Sequence, residues 1–334
     1  VRLTGKAASD PVSLARLLAA AQTEQGGNLL TICGIPGTIL PKIISPFQQV
    51  GLIQPGLPDP LGALGGIPVY CCSNDTWAAV AGLGALRASY AYNISGTTEV
   101  LGVMSEAPVQ AAGLLTVDWG GLWQQGGPSL NGADTMSWLL ALLGQPAVDV
   151  AATLEALLGR PRQSQPLLFL PYLQGERVPF WNPSLRGAFI GLGRQHGPAD
   201  LAWAVMEGVA FLNREVLERA EAALGWRVGC IRFGGGGASN PVWCQIKTDI
   251  CGRPVETCAA AEPGVLGAAA VAWTGLGRFA SLAEAQERLV SVSRCFTPDP
   301  AKAARYDGLF ALFQRASAAL APISERLVGM APGD

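Results

Sequence analysis

Residues 228–258 constrain the fold more than any other stretch, because they read as strand, glycine loop, helix and strand in immediate succession. Val228 to Phe233 is the first strand and Gly234 to Gly237 the loop. Pro241 to Cys251 is the helix, stopped by Gly252 before a strand at Pro254 to Cys258. The pattern predicts an α/β domain, and its surroundings agree. Leu201, Val205, Val209, Leu212 and Val216 mark one face of an amphipathic helix opened by Pro198 and closed near Gly225, and Glu262 to Trp273 is a further, alanine-rich helix. Upstream, Tyr90 to Ile94 and Val100 to Met104 read as strands of a hairpin whose tip is Ser95-Gly96-Thr97-Thr98. A buried strand is expected at Ile67 to Cys72, a small-residue helix from about Thr76 to Arg87, and two helices within residues 129–159.

Composition excludes several classes of partner. The 334 residues are 49% hydrophobic and 14% charged, enough to fill the cores of two domains. With 23 basic and 25 acidic residues the net charge is −2, so no basic stripe exists to neutralise a nucleic-acid backbone. No apolar run reaches membrane-spanning length and no leader pattern opens the chain, which predicts a soluble, cytoplasmic protein. The eight cysteines contain no Cys-x-x-Cys pair and there is one histidine, His196, so free and mostly buried thiols are expected rather than a zinc site.

The stretch from Leu167 to Val209 narrows the reading further. Gly187, Phe189, Gly191 and Leu192 are followed, after a seven-residue gap, by Asp200, Leu201, Ala204, Val205, Met206 and Glu207. This spacing resembles the core signature of the FGGY family of carbohydrate kinases. The resemblance implies an α/β, actin-like ATPase (ribonuclease H-like) two-domain fold whose first domain is incomplete. Residues 1–92 would be the remnant of the first domain, on the sugar side, and residues 93–334 the second, ATP-binding domain, with Mg-ATP in the cleft between them. The implied activity is ATP-dependent phosphorylation of a sugar hydroxyl, with ATP and Mg²⁺ required. A pentulose such as xylulose is the expected acceptor, since the xylulokinase and gluconokinase branches are the most similar. A homodimer is the expected assembly.

The same resemblance assigns residues. Asp75, in Ser73-Asn74-Asp75-Thr76, sits where the family has its general base, although Asn74 and Thr76 replace the more usual glycine before it and amide after it. In isolation Asp75 reads more simply as a helix N-cap. Gly96, Thr97 and Thr98 resemble a phosphate loop, in which glycine admits close backbone approach and hydroxyls meet phosphate oxygens. Glu99 stands where the family has a small neutral residue, and its charge beside phosphates would be unfavourable unless the side chain points away. Gly235, Gly236 and Asn240 match the segment that lies under adenosine, and Gln245 a glutamine one turn into the helix; Asn240 also reads as an N-cap ahead of Pro241. Asn131-Gly132-Ala133 resembles the far wall of the adenine pocket, with Ala133 in contact with the base and Ser137 replacing a larger polar residue. Glu176 and Arg177 are assigned a structural role, an ion pair locking their loop against Arg186-Gly187.

Two rivals stand beside this reading. The acidic-x-Gly-Thr hairpin that opens family members is not found, the chain begins at Val1, and Leu3-Thr4-Gly5 followed by Asp10 resembles a segment inside the relatives' first domain. The expectation is the rear part of a longer enzyme, which leaves room for a truncated, inactive fragment or a non-catalytic nucleotide-binding module. The second rival is an NAD-dependent dehydrogenase domain built on residues 228–258 with Glu256 at the ribose, but Ser239 or Asn240 stands where Gly-x-Gly-x-x-Gly needs its third glycine.

Overall fold

The computed structural model describes residues 1–18, 28–145 and 150–330. Contacts divide the chain into two compact units, one of Val1–Ala88, Val117–Trp123 and Cys258–Ser291, the other of Ser89–Thr116, Gln124–Thr257 and Val292–Asp334. Two stretches beyond residue 92, Val117–Trp123 and Cys258–Ser291, thus pack with the first unit.

The second unit is built on a seven-stranded sheet. Its spatial order is Val292–Phe296, Val255–Cys258, Ile231–Gly234, Ala91–Ser95, Glu99–Ser105, Trp123–Ser129 and Leu115–Asp118. Ile231 lies opposite both Val255 and Ala91 in parallel pairings, whereas Ala91–Ser95 and Glu99–Ser105 form the expected antiparallel hairpin with Ser95 opposite Glu99. Helices Asp134–Leu142 and Val150–Leu158 account for the two helical patterns after residue 129, and residues 146–149 between them lie outside the described residues.

The helix Pro198–Leu224 runs for 27 residues. Proline at its first turn costs no hydrogen bond, and Gly225 ends it in the left-handed conformation with φ 76°. Its apolar face carries Phe211, whose ring lies 5.5 Å from Phe313 and 6.1 Å from Phe310 of the C-terminal helix Pro300–Gly329. All three rings are at most 4% exposed, and each contributes roughly 1.5–3 kcal/mol relative to exposure.

The signature residues turn out to be packing residues. Asp200 accepts from the backbone N–H of Gly197 at 2.9 Å and of Gln163 at 2.8 Å, tying the helix start to the preceding loop. Burial pushes its carboxyl up, but these backbone donors outweigh it and hold Asp200 below the usual carboxylate range. Glu207 accepts from both Arg162 amino groups at 2.8 and 3.2 Å and from the Tyr306 hydroxyl at 3.0 Å. Phe189 packs on Phe169 with ring centroids 4.5 Å apart.

In the first unit, helix Asp75–Gly82 packs on helix Pro263–Gly275 at glycine contacts. A Cβ on Gly82 would collide with the carbonyl of Pro263, and one on Gly267 with the carbonyl of Ala78. The helix expected to reach Arg87 stops at Gly82, because Gly84 turns the chain at φ 71°. The strand expected to be buried over Ile67 to Cys72 is Pro68–Tyr70, half-buried in a two-stranded antiparallel pair with Gln49–Leu52, so it lacks the sheet neighbours that would cover it.

Among the described residues no helix is long and apolar enough to cross a membrane, and no cluster of three or more His, Cys, Asp or Glu could hold a metal. None of the eight cysteines forms a disulfide. Burial pushes the thiols of Cys72 and Cys244 up to about 11 and those of Cys230 and Cys251 to about 12, which keeps them protonated and unreactive at neutral pH.

Candidate functional site

A cavity of about 350 Å³ in the second unit is lined by residues from four separated segments. Thr97 comes from the hairpin tip, and Ala133, Asp134, Met136 and Ser137 from the start of the helix Asp134–Leu142. Val150 and Leu154 come from the next helix, and Gly236, Gly237, Ser239, Asn240 and Trp243 from the glycine loop and the helix after it. The volume falls within the range of small-molecule sites. One part of the wall is apolar, formed by Met136, Val150, Leu154 and Trp243, and another carries hydroxyl and amide groups.

Backbone contacts hold these segments together. The hairpin tip closes on itself through Gly96 N–H to Thr98 O at 2.9 Å, and the Ala133 N–H donates to Gly96 O at 3.0 Å. Gly96, Thr97 and Thr98 are all exposed, which leaves the two threonine hydroxyls at the surface to meet a ligand. Gly235, at φ 83°, lies so close to the Ser95 carbonyl that a Cβ would overlap it, which makes glycine obligatory there. Gly236 has nothing within 4 Å of where its Cβ would stand, so its backbone is open to an incoming group. Next to it, Ser95 Oγ is buried without a hydrogen-bond partner. Asn240 caps the helix Pro241–Cys251, its Oδ1 accepting from Val242 N–H at 2.9 Å and Trp243 N–H at 3.1 Å, which leaves the amide Nδ2 for a ligand. A glycine cradle, exposed hydroxyls and a helix N-terminus suit phosphate, and the apolar wall suits a heteroaromatic base.

Gln245 is not part of this cavity. Its amide donates to Asp249 Oδ1 at 2.7 Å and to Thr297 O at 3.0 Å, on the opposite face of the same helix. The reason is helical period: Asn240 and Trp243 share a face, while Val242, Gln245 and Asp249 point the other way. They line a separate cavity of about 630 Å³, two of whose basic groups are tied to carboxylates, Arg162 to Glu207 at 2.8 Å and Lys302 to Asp249 at 2.9 Å.

Glu176 has the structural role expected of it but different partners. No ion pair joins it to Arg186, whose amino group donates instead to the carbonyls of Pro183 and Leu185. Glu176, 1% exposed, accepts from Ser129 Oγ, Leu130 N–H, Asn131 Nδ2 and Arg177 N–H at 2.7–2.9 Å. It therefore fixes the segment that leads into Ala133. Burial pushes its carboxyl above the usual range despite these donors.

Asp75, in the first unit, is not the helix cap. Asn74 is, with Oδ1 accepting from Trp77 N–H at 2.9 Å, and Asp75 is the exposed first helical residue, bonded only to its neighbour Thr76. The turn that carries it is anchored on both sides. Ser73 Oγ donates to the buried Asp10 at 2.9 Å, and Trp77 Nε1 donates to Trp119 O at 3.2 Å. Asp10 had only its place in the Leu3-Thr4-Gly5 segment to single it out, and its role as an anchor requires the fold.

The dinucleotide reading fails on topology. The strand leading into the glycine loop is flanked by one strand of an antiparallel hairpin, and a 3₁₀ turn, Gly236–Ser239, separates it from the helix. Glu256 is engaged with Arg232 at 2.9 Å.

Comparison with known proteins identifies the family. The sequence model of the C-terminal domain of the FGGY family of carbohydrate kinases matches residues 91–276. The xylulose kinase of Escherichia coli (strain K12) is 29% identical over 330 residues, covering 97% of this chain and 67% of that protein. A glycerol kinase of Pseudomonas syringae pv. tomato is 29% identical over 302 residues, covering 88% and 58%. The crystal structure of gluconate kinase from Lactobacillus acidophilus superposes with a TM-score of 0.82 at 26% identity, covering 96% of this chain and 66% of that one. The chain thus spans about two-thirds of the length of such relatives, or less, and shares their actin-like ATPase fold. With the family match extending over more than half of its length, this chain belongs to the FGGY family of carbohydrate kinases.

Proposed function

We propose that the protein transfers the γ-phosphoryl group of ATP to a hydroxyl of a small sugar, with a pentulose such as xylulose as the acceptor. The observation that carries this reading is the cavity on which Thr97, Ala133, Gly236 and Asn240 converge from three distant segments. The xylulose kinases among the relatives favour the pentulose.

In this reading the apolar wall of Met136, Val150, Leu154 and Trp243 holds the base, and the Gly235-Gly236 backbone passes beneath the nucleotide. Asn240 Nδ2 donates to it, while Gly96 lets the backbone come close and the N–H and hydroxyl groups of Thr97 and Thr98 hold the phosphates. The exposed carboxylate of Asp75 accepts the proton of the sugar hydroxyl as its oxygen bonds to the γ-phosphorus. The bond from that phosphorus to the β–γ bridging oxygen breaks, and ADP leaves with the electron pair. Mg²⁺ would supply neutralisation of the phosphate charge.

The test is sugar-dependent ADP release from Mg-ATP across pentuloses, hexoses, glycerol and gluconate, with Asp75→Ala as the control. Stimulation by one sugar that disappears in Asp75→Ala supports the reading. ADP binding with no stimulation by any acceptor replaces it with a nucleotide-binding module.

A further inference from the structure

Glu99 is the one departure in the phosphate hairpin that the proposed reaction does not use. Its charge does point away from the tip, and where it points is informative. Glu99 is 1% exposed and meets Lys247, 3% exposed, with Nζ 2.8 Å from Oε1 and 2.9 Å from Oε2. The ammonium's remaining donor goes to Asn213 Oδ1 on the long helix, and Asn93 Nδ2 donates to Glu99 Oε2 at 3.1 Å. The same ammonium lies 5.1 Å from the ring of Phe233, which leads into the glycine loop, and 5.1 Å from the ring of Trp243, which forms the cavity wall.

The pair therefore ties together elements on the hairpin and glycine-loop sides of the cavity. Glu99 belongs to the hairpin and is held by Asn93 of its first strand, while Lys247, on the helix that carries Trp243, reaches Glu99 and the ring of Phe233 in the strand before the glycine loop. All three donors of the lysine and both oxygens of the glutamate are used, so the network has a single satisfied arrangement. A buried pair of this kind is not justified by stability alone, since well-packed apolar residues of similar size serve as well. What it fixes is register. Glu99 directly follows Thr98, and Lys247 stands one turn beyond Trp243 and two beyond the Asn240 cap.

We infer that the Glu99–Lys247 pair is a positioning element that holds the phosphate hairpin and the adenosine helix at the separation nucleotide binding requires. The inference rests on the nucleotide reading proposed above.

The test is the ADP dissociation constant and stoichiometry by titration calorimetry, with Gly236→Asp as the marker of the site. In Glu99→Leu/Lys247→Met the pair is replaced by apolar side chains of similar length, which preserves packing and removes the tie. The expected result is ADP affinity reduced on the order of tenfold to 100-fold at unchanged stoichiometry, and KM for ATP raised while KM for the sugar holds. General destabilisation would instead lower the stoichiometry and leave the affinity of the folded fraction intact. Asn213→Ala, which loosens only the third bond of the lysine, is a milder variant and should weaken ADP by about threefold, within the range set by one hydrogen bond. Wild-type affinity in both variants, with Gly236→Asp unable to bind, overturns the positioning role and leaves the nucleotide site standing. A wild-type protein that binds no ADP, or one in which Gly236→Asp binds equally well, overturns the nucleotide site and the inference with it.

Discussion

Asn131 Nδ2 donates to Glu176 Oε2 over 2.9 Å, and this bond joins the Gly-Glu-Arg turn to the segment that walls the candidate nucleotide cavity. Glu176→Ala would remove the acceptor of four donors, of which Ser129 Oγ retains Asn131 O and Asn131 Nδ2 retains Gly175 O, while the Leu130 and Arg177 N–H groups lose theirs. A loss of about 3 kcal/mol is expected, read as a lower denaturant midpoint at unchanged slope, because each stranded donor loses its partner without gaining water.

Asp75→Ala separates chemistry from folding. The side chain is exposed and bonds only to Thr76, so stability should stay within about 0.5 kcal/mol of wild type. If Asp75 is the base, kcat falls about 10²–10⁴-fold while ADP affinity is unchanged. Steady-state kinetics beside ADP titration distinguishes this from a change in binding.

The two loop glycines should respond in opposite ways. Gly236 has room for a side chain, so Gly236→Asp should fold normally and lose nucleotide binding, because a carboxylate would occupy the cradle. Gly235→Ala combines φ 83° with a collision against Ser95 and should cost about 1–3 kcal/mol. Thermal unfolding of the two variants, with and without ADP, checks both.

Asp200 gives a pH signature. Its carboxyl lies below the usual range in the folded protein, so its stabilising effect is present above about pH 4 and is lost as pH falls through the depressed value. Asp200→Ala should cost about 1–2 kcal/mol at pH 7. The gap from wild type should close as the pH is lowered below about 4, measured by denaturant titrations across that range.

What the sequence made legible was local. The run from Ile231 to Cys251 announces itself through β-branched residues, four glycines, an Asn-Pro helix start and a closing glycine, and each of those signals acts within a few residues. The placement of Thr97, Ala133, Gly236 and Asn240 on one cavity followed from family spacing, which encodes tertiary contacts that periodicity does not. Gln245 was misplaced because spacing along a helix gives no face until the helix is docked. Lys247 meets Glu99 across 148 residues, and Asp10, which caps its own turn at Val12 and Ser13, meets Ser73 across 63, in contacts that only the fold creates. The signature from Gly187 to Glu207 proved to describe helix capping and aromatic packing, and so reports on the scaffold rather than on the acceptor.

The glycine contact between Asp75–Gly82 and Pro263–Gly275 has a bearing on how the chain assembles. The helix Asp75–Gly82 of the first unit must wait about 180 residues for its partner, through the synthesis of most of the second unit. Closing so long a loop is entropically slow, and the helix keeps an apolar face uncovered in the interval. The early segment of the first unit therefore cannot finish folding until Cys258–Ser291 has been made, and mutations at Gly82 or Gly267 should surface as poor yield of folded protein before they surface as altered kinetics.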